Sequence, residues 1–419
     1  MNKRIFGCLL AGMIAAQTMA QESSTLSPYS QYGLGVLADQ SLGFSRGMAG
    51  VGIGLRNGHQ INMQNPASYS AVDSLTMLFD LGLSGKITNF KEGNKSVNAK
   101  TGNFDYAVAS FRLLRHVGVA VGIVPFSHIG YDYESVDKTT STNEGYTGDG
   151  GCRQVFLGMG WEFTKGFSVG FNLSYFWGNY DKGVLVTNSD ATMNILTRSY
   201  STNIRSYKLD FGFQWQHSLN ANNLLTVGLT TSVGHKLNAN ADVVTVTTNP
   251  QTSTTSATKP TELENAFSLP WAFGIGATLL HKNSLTAGFD YSLQKWGSID
   301  YPVYDSRGYN MTNNYYCDRH KVAVGADWIP NPLSRKYLNQ VHYRIGASYA
   351  TPYYKIKGSD GPNELTLSAG FGLPVSRSMV HISGQWVRSK ATGFVTENTF
   401  RINIGLTFNE RWFAKWKVD

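Results

Sequence analysis

The sequence predicts an all-β fold: a transmembrane antiparallel β-barrel of about 14 strands with an N-terminal luminal hatch. Three observations carry that prediction. From Leu75 to Phe408, apolar residues alternate with small or polar ones in repeated short runs, the period of a strand with one face buried. The connections between runs alternate short and long. Tryptophans gather near run ends, where a membrane barrel places its interfacial girdles.

Residues 1–20 read as a signal peptide. Lys3 and Arg4 are followed by apolar Ile5 to Ala16, and Thr18-Met19-Ala20 ends in a small residue suited to cleavage before Gln21. The apolar run is shorter than the ~20 residues of a membrane-spanning helix. Cys8 lies too near the basic pair to leave an apolar region for lipoprotein processing. After the leader no run is long enough for a membrane helix. Glycine (44 residues) and aromatics (13%) are plentiful, and charged residues (15%) are scarce for a soluble surface. Lys and Arg number 36 against 28 Asp and Glu, two of the basic residues lying in the leader. No dense basic run or basic-aromatic patch points to nucleic acid. Cys152 and Cys317 admit a disulfide or two separate buried thiols, and spacing does not choose between them.

Residues 21–72 are assigned to the hatch. Gln21 to Gln40 is mixed in polarity and carries no period. Ser45 to Ser70 has glycine at 47, 50, 52, 54 and 58 and the triplet Asn65-Pro66-Ala67, with polar residues too dense for a buried strand. The segment RGMAGVGIGL from Arg46, followed by NPASYSAVDSL up to Leu75, resembles the N-terminal hatch of the FadL-like outer-membrane proteins. The resemblance implies a compact segment inside a barrel of about fourteen strands, with Asn-Pro-Ala just before the first strand. It also implies passive uptake of a small hydrophobic molecule, captured among outer loops and released through the wall, with no cofactor. Gly47, Gly50, Asn65, Pro66 and Ala67 would shape the hatch, glycine allowing tight turns. Arg46 and Arg56 would lock it onto wall carboxylates.

Residues 73–408 are the predicted barrel. The first strand sets Leu75, Met77, Phe79, Leu81 and Leu83 toward lipid and Thr76, Asp80, Gly82 and Ser84 inward. Phe104–Leu113 and Val117–Val124 follow around a short turn. Val155 to Phe163, Phe167 to Trp177, Tyr207 to Trp215 and Leu225 to Val233 repeat the pattern, as do Trp271 to Leu279 and Leu285 to Leu293 around Lys282-Asn283. Val322 to Trp328, Val341 to Tyr349, Leu365 to Leu373, Val380 to Trp386 and Phe400 to Phe408 complete the wall. Long loops are expected near 127–150, 181–202, 238–268 and 297–318, on the outside, with short turns in the periplasm. Trp161, Trp177, Trp215, Trp271, Trp296, Trp328 and Trp386 are assigned to the girdles.

Asp80, Asp210, Asp290, Asp327, Arg153, Arg344 and Arg401 are expected in the lumen, paired or wetted. Pro125, which cannot donate a ladder hydrogen bond, either ends its strand or kinks it. By the resemblance, a kink at Pro125, Phe126 and Gly130 opens a lateral window. The tail 409–419, with Trp412, Phe413 and Trp416 among basic residues, reads as a periplasmic amphipathic helix on the membrane or as a docking point for an envelope protein. No His has a ligand at metal spacing. His128, His235 and His320 near loop bases do not make a hydrolase, because a triad is defined by geometry. Two functions stay open for this bacterial outer-membrane chain: passive uptake of small hydrophobic molecules, or a non-transporting barrel subunit of a secretion or protein-assembly complex.

Overall fold

The computed structural model describes residues 26–137, 139–190, 192–305 and 308–411. The predicted signal peptide, residues 1–20, and Trp412, Phe413 and Trp416 of the predicted tail lie outside the described residues. The wall is a closed antiparallel barrel of 14 strands. Its runs are β1 (Thr76–Glu92), β2 (Lys95–Leu114), β3 (Val117–Pro125), β4 (Ser127–Asp137), β5 (Thr142–Thr164), β6 (Phe167–Asn188), β7 (Ile195–Asn220), β8 (Asn223–Ser232) and β9 (Ala239–Asn249). Then come β10 (Ala272–His281), β11 (Leu285–Gln294), β12 (Arg319–Trp328), β13 (His342–Ala350), β14 (Asn363–Val375), β15 (Ser378–Lys390) and β16 (Thr396–Arg411). β3 with β4, and β8 with β9, each make one interrupted wall strand: β3 and β4 pair in turn with β5, and β8 and β9 with β7.

Closure runs from Thr76↔Arg411 to Lys91↔Thr396, where β1 meets β16. Hydrocarbon offers backbone groups no partner, so a sheet that crosses it has to close on itself. The faces follow the sequence alternation. On β5, Gln154 and Phe156 are buried while Val155, Leu157, Met159, Trp161 and Phe163 are exposed. Register carries the same face onward, Met159 lying beside Val119 and Phe171.

The structure corrects several expectations. The presumed long loops are largely strand. β4 and the start of β5 fill 127–150, the end of β6 and start of β7 fill 181–202, β9 and two short strands lie in 238–268, and Tyr301–Asp305 pairs with Gly308–Thr312 in 297–318. β5, β6 and β7 have 23, 22 and 26 residues, about twice the 9–11 needed to cross the core. Their upper halves stand in water, where no apolar face is required, so Thr, Asn, Ser and Gly there mimic loop composition. Trp296 is not in a girdle: it is 1% exposed inside an aromatic cluster with Tyr316 and Tyr353. Arg153 is exposed on the outer face rather than in the lumen, as its place between Cys152 and Gln154 dictates. The final strand runs to Arg411, beyond the expected barrel end at 408. Cys152 and Cys317 are both free.

The N-terminal segment lies against inward-facing wall residues. Its lower part packs Leu42, Phe44, Met48, Val51, Ile61, Met63 and Tyr69 on Leu78, Tyr106, Val108, Ala120 and Phe156. Its upper part, Tyr29 and Leu34, joins Ile129, Phe176, Phe267, Trp296, Tyr353 and Tyr354 at the opposite end.

Met159→Arg, at the centre of the apolar run of β5, is expected to lower stability by about 2–4 kcal/mol, and Met159→Leu by far less. Guanidinium titration of vesicle-inserted protein checks this; an unchanged midpoint for the arginine variant refutes the assignment of that face to lipid.

Candidate functional site

The segment from Ser41 to Ala71 is held by wall groups on several sides. Arg46, 2% exposed, pairs through Nη1 with Asp105, reaches Asn403 Oδ1 at 3.1 Å, and lies over the Tyr106 ring at 5.3 Å. Gln385 donates to the Arg46 carbonyl at 3.0 Å, and Ser368 to that of Gly47 at 3.0 Å. On another side Asp290 accepts the Gly52 and Ile53 N–H groups at 2.6 and 2.9 Å, and Thr278 donates to the Gly54 carbonyl at 2.8 Å. Arg56 meets Glu162 at 3.0 Å and Ser70 Oγ at 2.9 Å. Asp39 is pushed up by burial, but the Lys321 ammonium and the Arg46 guanidinium hold it down at about 2.

Asn65-Pro66-Ala67 starts a 3-10 helix, Pro66–Ala71. The Asn65 side chain accepts from Ala67 N and donates to the carbonyls of Ile53 at 2.9 Å and Phe213 at 3.1 Å, so one residue caps the turn and fastens it to β7. Proline suits the first helical position, where no N–H is needed. Gly50 has φ +87°, a conformation that favours glycine. Gly47 has φ −65°, and its need is space: a Cβ there would lie 3.0 Å from that of Arg344. The wall reciprocates, since a Cβ on Gly118 would fall 1.9 Å from the Tyr69 carbonyl oxygen.

A hydrogen-bond chain links this segment to the wall. Gly43 N–H donates to the Tyr106 hydroxyl at 2.6 Å, and Tyr106 donates to Asp80 at 3.0 Å. Thr407 donates to the other Asp80 oxygen at 3.0 Å. Arg344 Nη1 donates to His381 Nδ1 at 2.8 Å, which makes His381 neutral and directs its Nε2–H to Thr407 at 3.0 Å. Arg344 Nε lies 3.4 Å from Asp327, which His342 also meets at 2.8 Å.

At Pro125 the wall is interrupted. The β2–β3 ladder stops at Ala107↔Ile123, while β3 stays on β5 to Pro125↔Arg153. β4 then resumes on β5 at Ile129↔Gly150. Four steps on one strand oppose three on the other, and Gly150 and Gly151 take φ +127° and +135° there. β2 above Ala107 pairs with β1 alone, and the freed edge of β4 takes Val36↔His128 and Leu37↔Ser127 from the N-terminal segment. Phe126 packs edge-on to Phe176, ring centroids 5.0 Å apart. Gly130 exchanges hydrogen bonds with Ser27 and Ser30, so it holds the segment rather than bending the strand.

Between the upper and lower parts lies a chamber of about 370 Å³. Val36, Leu37, Phe126, Phe156 and Trp296 line it beside Lys86, Arg401, Asp290, Lys321 and Glu397. His128 sits at the break, His235 stacks on Tyr207 at 4.3 Å, and His320 bonds Tyr291 at 2.9 Å, on separate strands. Among the described residues no group of His, Cys, Asp and Glu is placed to hold a metal.

Asp105 and Tyr106 escaped the sequence reading. A bulge opposite Gly82/Leu83 turns both inward, whereas strict alternation sends Tyr106 to lipid. The two-residue strand Val36–Leu37 carried no periodic signal. The Gly150-Gly151 pair is the visible mark of the break.

A family model described as BamG matches residues 1–419. Comparison with curated proteins gives no match. Among solved structures, the Ralstonia pickettii toluene transporter TbuX is 14% identical over 89% of this chain and 99% of its own, with TM-score 0.65. The Pseudomonas putida toluene transporter TodX is 13% identical over 90% and 100%, TM-score 0.63. A Pseudomonas aeruginosa FadL homologue is 10% identical over 90% and 99%, TM-score 0.63. The fold is that of the FadL-type barrels, and it places the chain in the bacterial outer membrane.

Arg46→Ala strands Asp105 in a buried site and is expected to cost about 3–5 kcal/mol, much of it recovered by pairing Arg46→Met with Asp105→Leu. Limited proteolysis of the N-terminal segment and thermal unfolding measure both. Equal protection in the wild type and Arg46→Ala removes the anchoring role.

Proposed function

The chain belongs to the BamG family, and we propose that it is a plugged channel admitting small, largely apolar molecules through the side of its wall. The break at Pro125–Phe126 carries this reading. It separates β4 from β2, leaves a gap lined by Val36 and Leu37, and sets that gap against the chamber. A chamber of about 370 Å³ is within the usual range of small-ligand sites. Its mixture of aromatic and charged side chains suits an apolar body bearing one polar group. Residues 41–72 act as the hatch floor, and 36–40 as the movable edge. The descriptions of TbuX and TodX as toluene transporters support the reading. Passage is downhill.

A second reading, a fixed barrel subunit of an envelope secretion or assembly complex, is favoured by the anchors around Ser41–Ala71 and by a family description other than that of the transporters. Purification in mild detergent separates the two: a lone barrel with a co-purified hydrophobe supports uptake, a stoichiometric protein partner supports the subunit.

Val36 and His128 are partners in the short ladder that covers the free edge of β4. In a background with Cys152→Ser and Cys317→Ser, a Val36→Cys/His128→Cys disulfide is expected to cut liposome uptake of a small aromatic hydrocarbon at least ten-fold, reversibly on reduction. Full flux through the oxidised protein rules out the side route. Asn65→Ala and Pro125→Ala are expected to alter flux as well, by loosening the floor and the break.

A further inference from the structure

The connection between β12 and β13, residues 329–341, lies at the short-turn end, and it is built. Asn331 N–H bonds the Asn339 carbonyl at 2.9 Å, Gln340 Nε2 the Ser334 carbonyl at 2.5 Å, and Asn339 Nδ2 the Ser334 hydroxyl at 3.1 Å. Leu333 N–H is taken by Asn331 Oδ1 at 3.0 Å, and Tyr337–Asn339 forms a short 3-10 turn. This self-bonded frame points its apolar side chains away from the protein: Leu333 is 93% exposed, Leu338 70% and Tyr337 49%. Arg335 and Lys336, between them, are exposed as well.

Where the turn leans decides what covers it. Tyr343, on the lipid-facing side of β13, donates its hydroxyl to the Leu338 carbonyl at 3.1 Å, and its ring lies 5.7 Å from that of Trp328. Leu338 is therefore tied to the girdle of the barrel, on its outer side, and the apolar tip continues the surface that lipid already covers. Cations beside an apolar tip at this depth meet phosphate groups, and Trp and Tyr mark the same level.

We propose that residues 333–338 form a foot on the periplasmic leaflet, Leu333 and Leu338 entering the interfacial region and Arg335 and Lys336 binding anionic phospholipid headgroups. A rigid frame presents these groups without an ordering cost on contact. The foot fixes the height and tilt of β12 and β13 relative to the bilayer, independently of what the lumen carries.

The test uses the full chain in nanodiscs, with Cys152→Ser and Cys317→Ser and a bimane label on Leu333→Cys. Brominated phosphatidylglycerol and brominated phosphatidylcholine are the two quenchers, at equal mole fraction, and iodide reports water access. A foot on anionic lipid gives strong lipid quenching, little iodide quenching, and at least a two-fold preference for phosphatidylglycerol that Arg335→Gln/Lys336→Gln abolishes. Because both residues are exposed, the double variant keeps its folded, heat-modifiable band. Equal quenching by the two lipids, unchanged in the double variant, overturns the headgroup assignment. Full iodide access with no lipid quenching overturns the foot altogether and leaves the tip facing the periplasm for a soluble protein.

Discussion

The structure depends on one constraint: inside hydrocarbon, every backbone N–H and C=O has to be satisfied by protein. Closure of β1 on β16 meets it at the seam. At Pro125, where the apolar run of β5 ends, the ladder is interrupted, and β4 begins without β2 as a wall partner on its other edge. The chain's own N-terminal segment supplies Val36–Leu37 to that edge, and Ala38 N–H and the Gln40 side chain bond the carbonyls of Phe126 and Pro125. The N-terminal segment thus substitutes for a missing stretch of wall.

The same constraint explains the glycines on the inner face. A segment without regular structure carries unpaired carbonyls, and water in a narrow lumen cannot reach them all. Wall side chains such as Thr278, Gln385 and Ser368 donate to those carbonyls. They succeed because residues such as Gly118 let the segment approach the sheet more closely than any Cβ allows. Polar satisfaction and close approach arise from one arrangement.

What the sequence disclosed follows from where lipid acts. In the belt each strand has two different solvents on its faces, so period two is written plainly at Val155 to Phe163. Above the belt both faces are wet, and the upper halves of β5 to β7 lose their signature while keeping their ladders. Bulges erase the record in another way: one extra residue turned Tyr106 inward and hid Asp105, the partner of Arg46. That Ser45–Ser70 is not a wall strand was legible from its glycines and from Asn65-Pro66-Ala67, but the attachments of the N-terminal segment join residues up to 370 positions apart, as Ser27 to Glu397, and single-sequence spacing carries no trace of them. Trp296 shows the limit of composition, since an aromatic near a strand end serves a girdle and a buried lid equally well.

Magnitudes then locate any motion the segment undergoes. The floor is held by charged groups out of water, and separating Arg46 from Asp105 costs about 3–5 kcal/mol. Residues 26–30 are fastened too, Ser27 to Glu397 at 2.7 Å and Tyr29 by bonds from Tyr354 and Ala391 at 3.0 Å each. Between these anchors, Val36, Leu37, Ala38 and Gln40 are attached to the β3–β4 junction by neutral hydrogen bonds, each worth about 1 kcal/mol net, and Asp39 alone adds a charged contact, toward Lys321 and Arg46. A thermal opening therefore begins there, with both ends of the segment still fixed. It exposes the β4 edge beside the chamber while the floor under the chamber stays closed. Movement at the side without movement below would distinguish a lateral route from a pore, and the neutral attachments of Val36 to Ala38 set that stretch apart from the charged ones at Asp39 and Arg46.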